Sequence, residues 1–263
     1  MIHRDTVFKI IGSLLFIEVA IMFVCFVMAI GFGEDDEMPF AISIVLTLLT
    51  GIVLRYLGRH SDNTMSRRDA YLVVSLSWVI FSFFGTLPFV ISGYIPSFTD
   101  AYFETMSGFT TTGSTAFTNI DVLPHSILLW RSITHWVGGM GIIFFTLALL
   151  PALGIGEQEL FSAEATGLKL SKLHSRVSTT AHYLWSTYLL ITIACAIAYR
   201  LCGMNTFDAI NHSFATIATG GFSTHTASIA YFNSPAIEYV SVIFMFLSSV
   251  NFTLLYFTIF KRR

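Results

Sequence analysis

Six long apolar runs constrain this chain more than any other feature. They cover approximately residues 8–32, 39–58, 71–93, 127–150, 183–203 and 236–260. A bilayer core about 30 Å thick is crossed by about 20 helical residues, so every run is long enough to span one. In lipid, only helices and closed barrels satisfy all backbone N–H and C=O groups. Runs that are continuously apolar, rather than alternating, read as helices. Composition agrees: 11% of the residues are charged and 54% are hydrophobic, whereas a soluble domain carries about 25% charged residues. The stretch Ile10–Phe32 follows Arg4 and Lys9 and exceeds the apolar core of a secretory signal, about 7–15 residues. It therefore reads as a retained helix. The expected fold class is an all-α polytopic membrane protein with six transmembrane helices.

Two shorter semi-apolar segments, Thr99–Phe109 and Thr206–Ile217, lie between spans. Neither is long enough to cross, and each runs into Gly, Thr and Ser, which favour irregular backbone. They read as two re-entrant pore helices.

Charge sets the orientation. With a cytoplasmic N-terminus and six alternating spans, the inner side holds Arg4, Lys9, Arg55, Arg59, Arg67, Arg68, Lys169, Lys172, Arg176, Lys261, Arg262 and Arg263. Only Arg131 and Arg200 fall outside, as the positive-inside rule requires. Both termini are then cytoplasmic. The acidic run Glu34–Glu37 falls outside, with Asp100, Glu104, Asp121, Asp208 and Glu238, so both short segments dip in from the outer face. A net charge of −2 gives no pull toward nucleic acid.

The chain repeats itself. Laid over itself so that Asp100-Ala101 falls on Asp208-Ala209, it also places Thr111 on Thr219, Gly113 on Gly221, Thr105 on Ser213 and Thr115 on Ser223. This predicts an N-terminal helix pair over 1–66, a first span–pore loop–span repeat over 67–150, a cytoplasmic linker over 151–182 and a second repeat over 183–263. Repeats that enter and leave on the same side are parallel, related by an axis along the membrane normal. That suits a pore on the axis, with each copy giving one wall.

The two loops are Thr110-Thr111-Thr112-Gly113-Ser114-Thr115 and Ala218-Thr219-Gly220-Gly221-Phe222-Ser223. An ion entering lipid needs oxygens in place of its water, and backbone carbonyls can supply them. Glycine permits the backbone angles this requires, and irregular backbone is tolerated at this depth where it lines a cavity. Each short helix aims its C-terminal partial negative charge inward, favouring a cation. The candidate ion-binding residues are Thr110, Thr111, Thr112, Gly113, Ser114, Thr219, Gly220, Gly221, Phe222 and Ser223. There is no cofactor in this reading; the ion is the substrate.

Phe103-Glu104-Thr105-Met106-Ser107-Gly108-Phe109-Thr110-Thr111-Thr112-Gly113-Ser114-Thr115 and Ala218-Thr219-Gly220-Gly221-Phe222-Ser223-Thr224 resemble the first two filter loops of the Trk/Ktr/HKT cation transporters. His135-Trp136-Val137-Gly138-Gly139-Met140-Gly141-Ile142 is similar to the second helix of that family's first repeat. With the preceding helix pair, the resemblance is to TrkH-type subunits. It implies potassium uptake across a bacterial inner membrane through a channel-like pore. It also implies a cytosolic nucleotide-binding regulatory subunit of the TrkA type as partner. Potassium rather than sodium is implied by glycine at 113, where sodium-preferring relatives carry serine. The family has four such repeats and this chain carries two, matching the N-terminal half. A second pore half or a second copy of the chain is then expected to close the open side. Two alternatives stay open: a truncated or split-gene assembly subunit that does not conduct, and a sodium-permeable transporter.

Other residues are read more plainly. Glu18, mid-span, is expected to make a polar contact between helices, with an ion-pathway role as the alternative. Gly138, Gly139 and Gly141 suit close helix packing or a hinge. Asp100 and Asp208 are expected to N-cap the short helices and to add negative charge at the outer mouth. Pro88 sits near the outer end of its span. Cys25, Cys195 and Cys202 read as packing residues. The histidines show no metal-ligand spacing. The strip Lys169, Lys172, His174 and Arg176 is either a solvated inner loop or a docking site for the regulatory partner. No nucleophile–base pair or catalytic motif appears, so the chain does not read as an enzyme.

Overall fold

The computed structural model describes residues 2–61, 66–153 and 177–250. All regular structure among them is helical. The elements are α1 (Arg4–Phe32), α2 (Glu37–Leu57), α3 (Arg67–Gly85), α4 (Leu87–Ser92), α5 (Phe98–Phe109), α6 (His125–Leu153), α7 (Val177–Leu201), α8 (Thr206–Ile217), a 3-10 turn at Ser228–Phe232, and α9 (Pro235–Ser249). Four helical stretches, Arg4–Phe32, Glu37–Leu57, Arg68–Ser92 and Tyr183–Leu201, are long and apolar enough to cross a membrane. The helix α6 runs for 29 residues. The expected last span is described only over α9, and most of the 151–182 segment, with the basic strip from Lys169 to Arg176, lies outside the described residues.

Helices α1 and α2 form a hairpin whose close crossing falls at Gly12 and Gly51; a side chain at Gly12 would meet the Gly51 carbonyl and the Arg55 N–H. Small residues let helices approach this closely, which matters in lipid because apolar side chains gain little there by leaving the solvent. The hairpin joins the rest through both helices: α1 packs on α3 and α6, and α2 packs on α4 and α3. The short helix α5 lies against α3 and α6, and α8 lies against α6, α7 and α9. Thus α6 touches both short helices. At 12 residues each, these are about 18 Å long and cannot cross a bilayer.

The loop between α1 and α2 is pinned to the start of α6. Glu34 accepts hydrogen bonds from the backbone N–H groups of His125 (2.7 Å) and Ser126 (3.0 Å) and pairs with His125 Nδ1 at 2.8 Å. Helix N-termini carry unpaired N–H groups, and a carboxylate satisfies them well. Burial alone would raise the Glu34 carboxyl, but these hydrogen bonds outweigh it and hold the group below its ordinary value. A carboxyl with a depressed folded pKa stabilises above its ordinary pKa of about 4.3 and loses that contribution as pH falls through the folded value. The melting midpoint of Glu34→Gln should therefore sit below wild type at neutral pH. The gap should close on acidification below about pH 4. A gap unchanged by acid would remove Glu34 as the cause.

The third expected run is not one helix. The chain breaks at Thr86, and Pro88 lies in the first turn of α4. Proline supplies no N–H, and here Phe89 N–H bonds Thr86 O at 3.1 Å. The carbonyl of Gly85 is taken instead by the indole N–H of Trp130 on α6, at 3.0 Å. The break is thus closed by a side chain from the neighbouring helix.

Glu18 is 1% exposed, but neither carboxyl oxygen has a hydrogen-bond partner among the described residues. It lies beside Gly85, Thr105 and Phe109, so it packs between helices without the expected polar contact. The Asp100 and Asp208 expectation is corrected. The N-caps are Ser97 and Asn205, whose side-chain oxygens accept from Asp100 N–H (3.4 Å) and Asp208 N–H (2.7 Å). Both aspartates stand at the third helical position, where a carboxylate still favours the helix dipole.

Candidate functional site

The two Thr/Gly loops have the same local structure. In the first, Thr111 N–H bonds Gly108 O (3.0 Å) and Thr112 N–H bonds Ser107 O (2.9 Å). In the second, Thr219 N–H bonds Thr216 O (3.0 Å) and Gly220 N–H bonds Ala215 O (2.9 Å). Each pair is a Schellman cap: the residue after the C-cap turns left-handed, and its own N–H and that of the next residue reach back to the last turn. The left-handed residue is threonine in both, with φ 55° at Thr111 and 53° at Thr219. A β-branched residue is strained there, so the surroundings hold both loops in this turn. Two residues on, Gly113 and Gly221 also have positive φ, 78° and 103°. Every one of these features falls on its counterpart when the two repeats are laid over each other.

The loops meet. A side chain at Gly113 would collide with the Gly220 carbonyl. Around them, α6 packs on both short-helix ends. Gly138 admits the Phe109 carbonyl, and Gly139 faces Ala218 and the Tyr188 hydroxyl. The close-packing role expected for these two glycines is therefore what the structure displays.

The candidate ion-binding residues divide into two groups. Thr110, Thr112, Ser114, Thr219 and Gly221 are exposed, with Thr111, Gly113 and Gly220 partly so. Phe222 and Ser223 are buried. The Phe222 ring is stacked on His135 (centroids 4.0 Å apart), and the Arg131 guanidinium lies 4.3 Å from its centre. Arg131 and His135 are one turn apart on α6, so helix and ring interlock. The Ser223 hydroxyl pairs with His212 Nε2 at 3.0 Å, and its carbonyl accepts from Arg131 Nη1 at 2.9 Å.

The chain matches the family profile described as cation transport protein TrkH over residues 36–263. The chain belongs to the TrkH family. It is 42% identical over 250 residues to the Trk system potassium uptake protein TrkH of Halomonas elongata, covering 94% of this chain and 52% of that protein. It is 41% identical over 254 residues to the Escherichia coli protein of the same name, covering 96% and 53%. The crystal structure of the potassium transporter TrkH from Vibrio parahaemolyticus superposes with a TM-score of 0.84 at 40% identity, covering 98% of this chain and 52% of that one. The chain spans about half the length of these TrkH relatives.

Within this TrkH-family chain, sequence reading passed over a buried network behind the loops. Arg131 Nε donates to Glu104 Oε1 at 2.8 Å, and Nη2 donates to the Thr115 hydroxyl at 3.2 Å. Glu104 also accepts from Ala116 N–H (2.7 Å) and from the Thr115 hydroxyl (3.1 Å). Arg131 and Glu104 are 1% and 0% exposed in their side chains. The signal was available: an arginine inside an apolar run and a glutamate inside a short re-entrant segment both mark function by default.

Farther out, a clasp joins the repeats. His225 lies between Asp121 Oδ1 (2.9 Å) and Asp208 Oδ2 (3.2 Å), and Ile120 N–H donates to the Thr226 hydroxyl at 2.8 Å. Hydrogen bonds from Thr226, and then from His225, hold the Asp121 carboxyl below its ordinary value.

Proposed function

We propose that this chain is a pore-forming subunit for potassium uptake across the bacterial inner membrane. In this reading the chain has six spans and two re-entrant helices, with both termini cytoplasmic. Its parts are a helix pair (1–66), a first repeat (67–150), a cytoplasmic linker (151–182) and a second repeat (183–263). The carbonyls and hydroxyls of Thr110, Thr111, Thr112, Gly113, Ser114, Thr219, Gly220 and Gly221 replace the ion's water. Phe222 and Ser223 anchor the second loop, with Phe222 offering at most its carbonyl. The observation that carries this reading is the pair of identical strained caps, touching at Gly113 and Gly220. Irregular polar backbone of this kind inside an apolar helical protein suits a water-filled pore.

Two loops leave such a site open on one side. A second pore half, or a second copy of the chain, completes it, and a nucleotide-binding subunit of the TrkA type docks on the inner face. The protein acts as a transporter and not as an enzyme.

The test is growth of a potassium-uptake-deficient bacterium at low potassium. The chain is expressed alone and with the C-terminal half of a TrkH relative. Rescue in either arm is the expected result. Failure in both, with the chain present in the membrane, overturns the proposal. Rescue that sodium abolishes would favour the sodium-permeable alternative.

A further inference from the structure

We propose that Arg131 is a positioning residue that sets the spacing of the two loops and thereby the preference for potassium over sodium. This rests on the reading of the loops as a cation site and adds a determinant outside them.

The geometry points to a bracket. On one edge the guanidinium donates to Glu104 and Thr115, which belong to the first repeat. Its other nitrogen donates to the carbonyl of Ser223, in the second. Its face covers Phe222 of the second loop, and Phe117, just past the first, lies 5.3 Å away. Glu104 in turn accepts from Ala116 N–H, so the segment leaving the first loop is fixed by the same pair. One planar, rigid fork thus touches the exits of both loops. It does so with its side chain 1% exposed, where a hydrogen bond is not loosened by water.

The tips of the loops meet by van der Waals contact of Gly113 with the Gly220 carbonyl. Such a contact limits approach but does not prevent separation. The Asp121–His225 clasp resists separation farther out. Arg131 resists it directly behind the loops. Potassium and sodium differ in size by a fraction of an ångström, and carbonyl sites tell them apart by the number, distance and field of the oxygens. A shift in loop spacing therefore changes preference before it changes fold. Lysine cannot replace arginine here, because a single ammonium does not reach Glu104, Thr115 and the Ser223 carbonyl as a planar fork does.

The experiment uses the full chain, assembled with the C-terminal half of a TrkH relative, in lipid nanodiscs. Its melting midpoint is followed against potassium chloride, sodium chloride and choline chloride at fixed ionic strength. Wild type is expected to be stabilised by potassium at lower concentration than by sodium. Arg131→Lys is expected to lower the ratio of half-saturating sodium to potassium concentrations about tenfold, as loss of one charged hydrogen bond would. The charge-swapped double variant, Glu104→Arg with Arg131→Glu, re-forms the ion pair but places an acceptor opposite the Ser223 carbonyl. It should recover midpoint in choline without recovering the ratio. Phe222→Leu, which keeps an apolar side chain but removes the ring under the guanidinium, should lower the ratio in the same direction. A wild-type ratio in Arg131→Lys and Phe222→Leu overturns the proposal. So does recovery of ratio and midpoint together in the swap, which would make the pair merely structural. If wild type responds alike to all three salts, the cation-site reading itself fails, and this inference with it.

Discussion

Gly113→Ala should abolish potassium-dependent growth rescue and destabilise the protein by more than about 4 kcal/mol, the range in which single substitutions become exceptional. Two effects add. The left-handed backbone at φ 78° costs an alanine about 1–2 kcal/mol. The new methyl also drives into the Gly220 carbonyl, which is backbone and has no alternative rotamer. Gly93 separates the two effects. Its φ is 79°, and a Cβ there would meet nothing within 4 Å. Gly93→Ala should therefore show the backbone cost alone, about 1–2 kcal/mol, with rescue retained. Equal losses in the two variants would mean that contact between the loops contributes nothing.

Glu104→Leu should cost about 3–5 kcal/mol, because removing one partner of a buried ion pair leaves the other charge uncompensated. Arg131 would keep the Ser223 carbonyl and the Thr115 hydroxyl but lose its counter-charge. The N–H of Ala116 would lose its acceptor as well. Glu104→Leu combined with Arg131→Met should recover the part of that loss due to the uncompensated charge, while the Ala116 N–H and the Ser223 carbonyl stay without these partners. The measurement is thermal or denaturant unfolding in detergent, together with the yield of monodisperse protein. A loss below about 1 kcal/mol for Glu104→Leu would place the pair in a solvated setting instead.

Much of the backbone could be read from the sequence because lipid leaves the chain few choices. The short segment Thr206–Ile217 is a helix with the same ends that its sequence predicts, and its counterpart starts one residue earlier, at Phe98. Length, hydropathy and a Gly/Thr terminator sufficed there. The internal repeat predicted matched loops, and their caps match bond for bond. Three things were hidden. The break at Thr86 depends on Pro88 and on Trp130, which lies on a later helix and donates to a carbonyl that no local pattern shows to be free. The N-caps, Ser97 and Asn205, precede the apolar residues that mark the short helices, and the aspartate three residues on looks equally like a cap in the sequence alone. The bracket at Arg131 joins positions far apart in the chain, and its partner on Ser223 is a carbonyl, which every residue possesses. Side-chain identity could flag Arg131 and Glu104, but not what they hold.

The interlock of Phe222 with Arg131 and His135 bears on how such a duplicated unit can change over time. In the other copy, the position of Phe222 is taken by Ser114 on the first loop, and those of Arg131 and His135 by Tyr239 and Ile243 on α9. The first loop carries no ring to insert, and Tyr239 and Ile243 offer no cation or imidazole to receive one. They are 70% and 54% exposed. The two copies have therefore parted company in side chains while keeping one backbone. A gene rearrangement that reversed their order would preserve every loop bond and still set a serine where the aromatic knob belongs. Sequence order has become a property of the interior, and the two copies are no longer exchangeable parts.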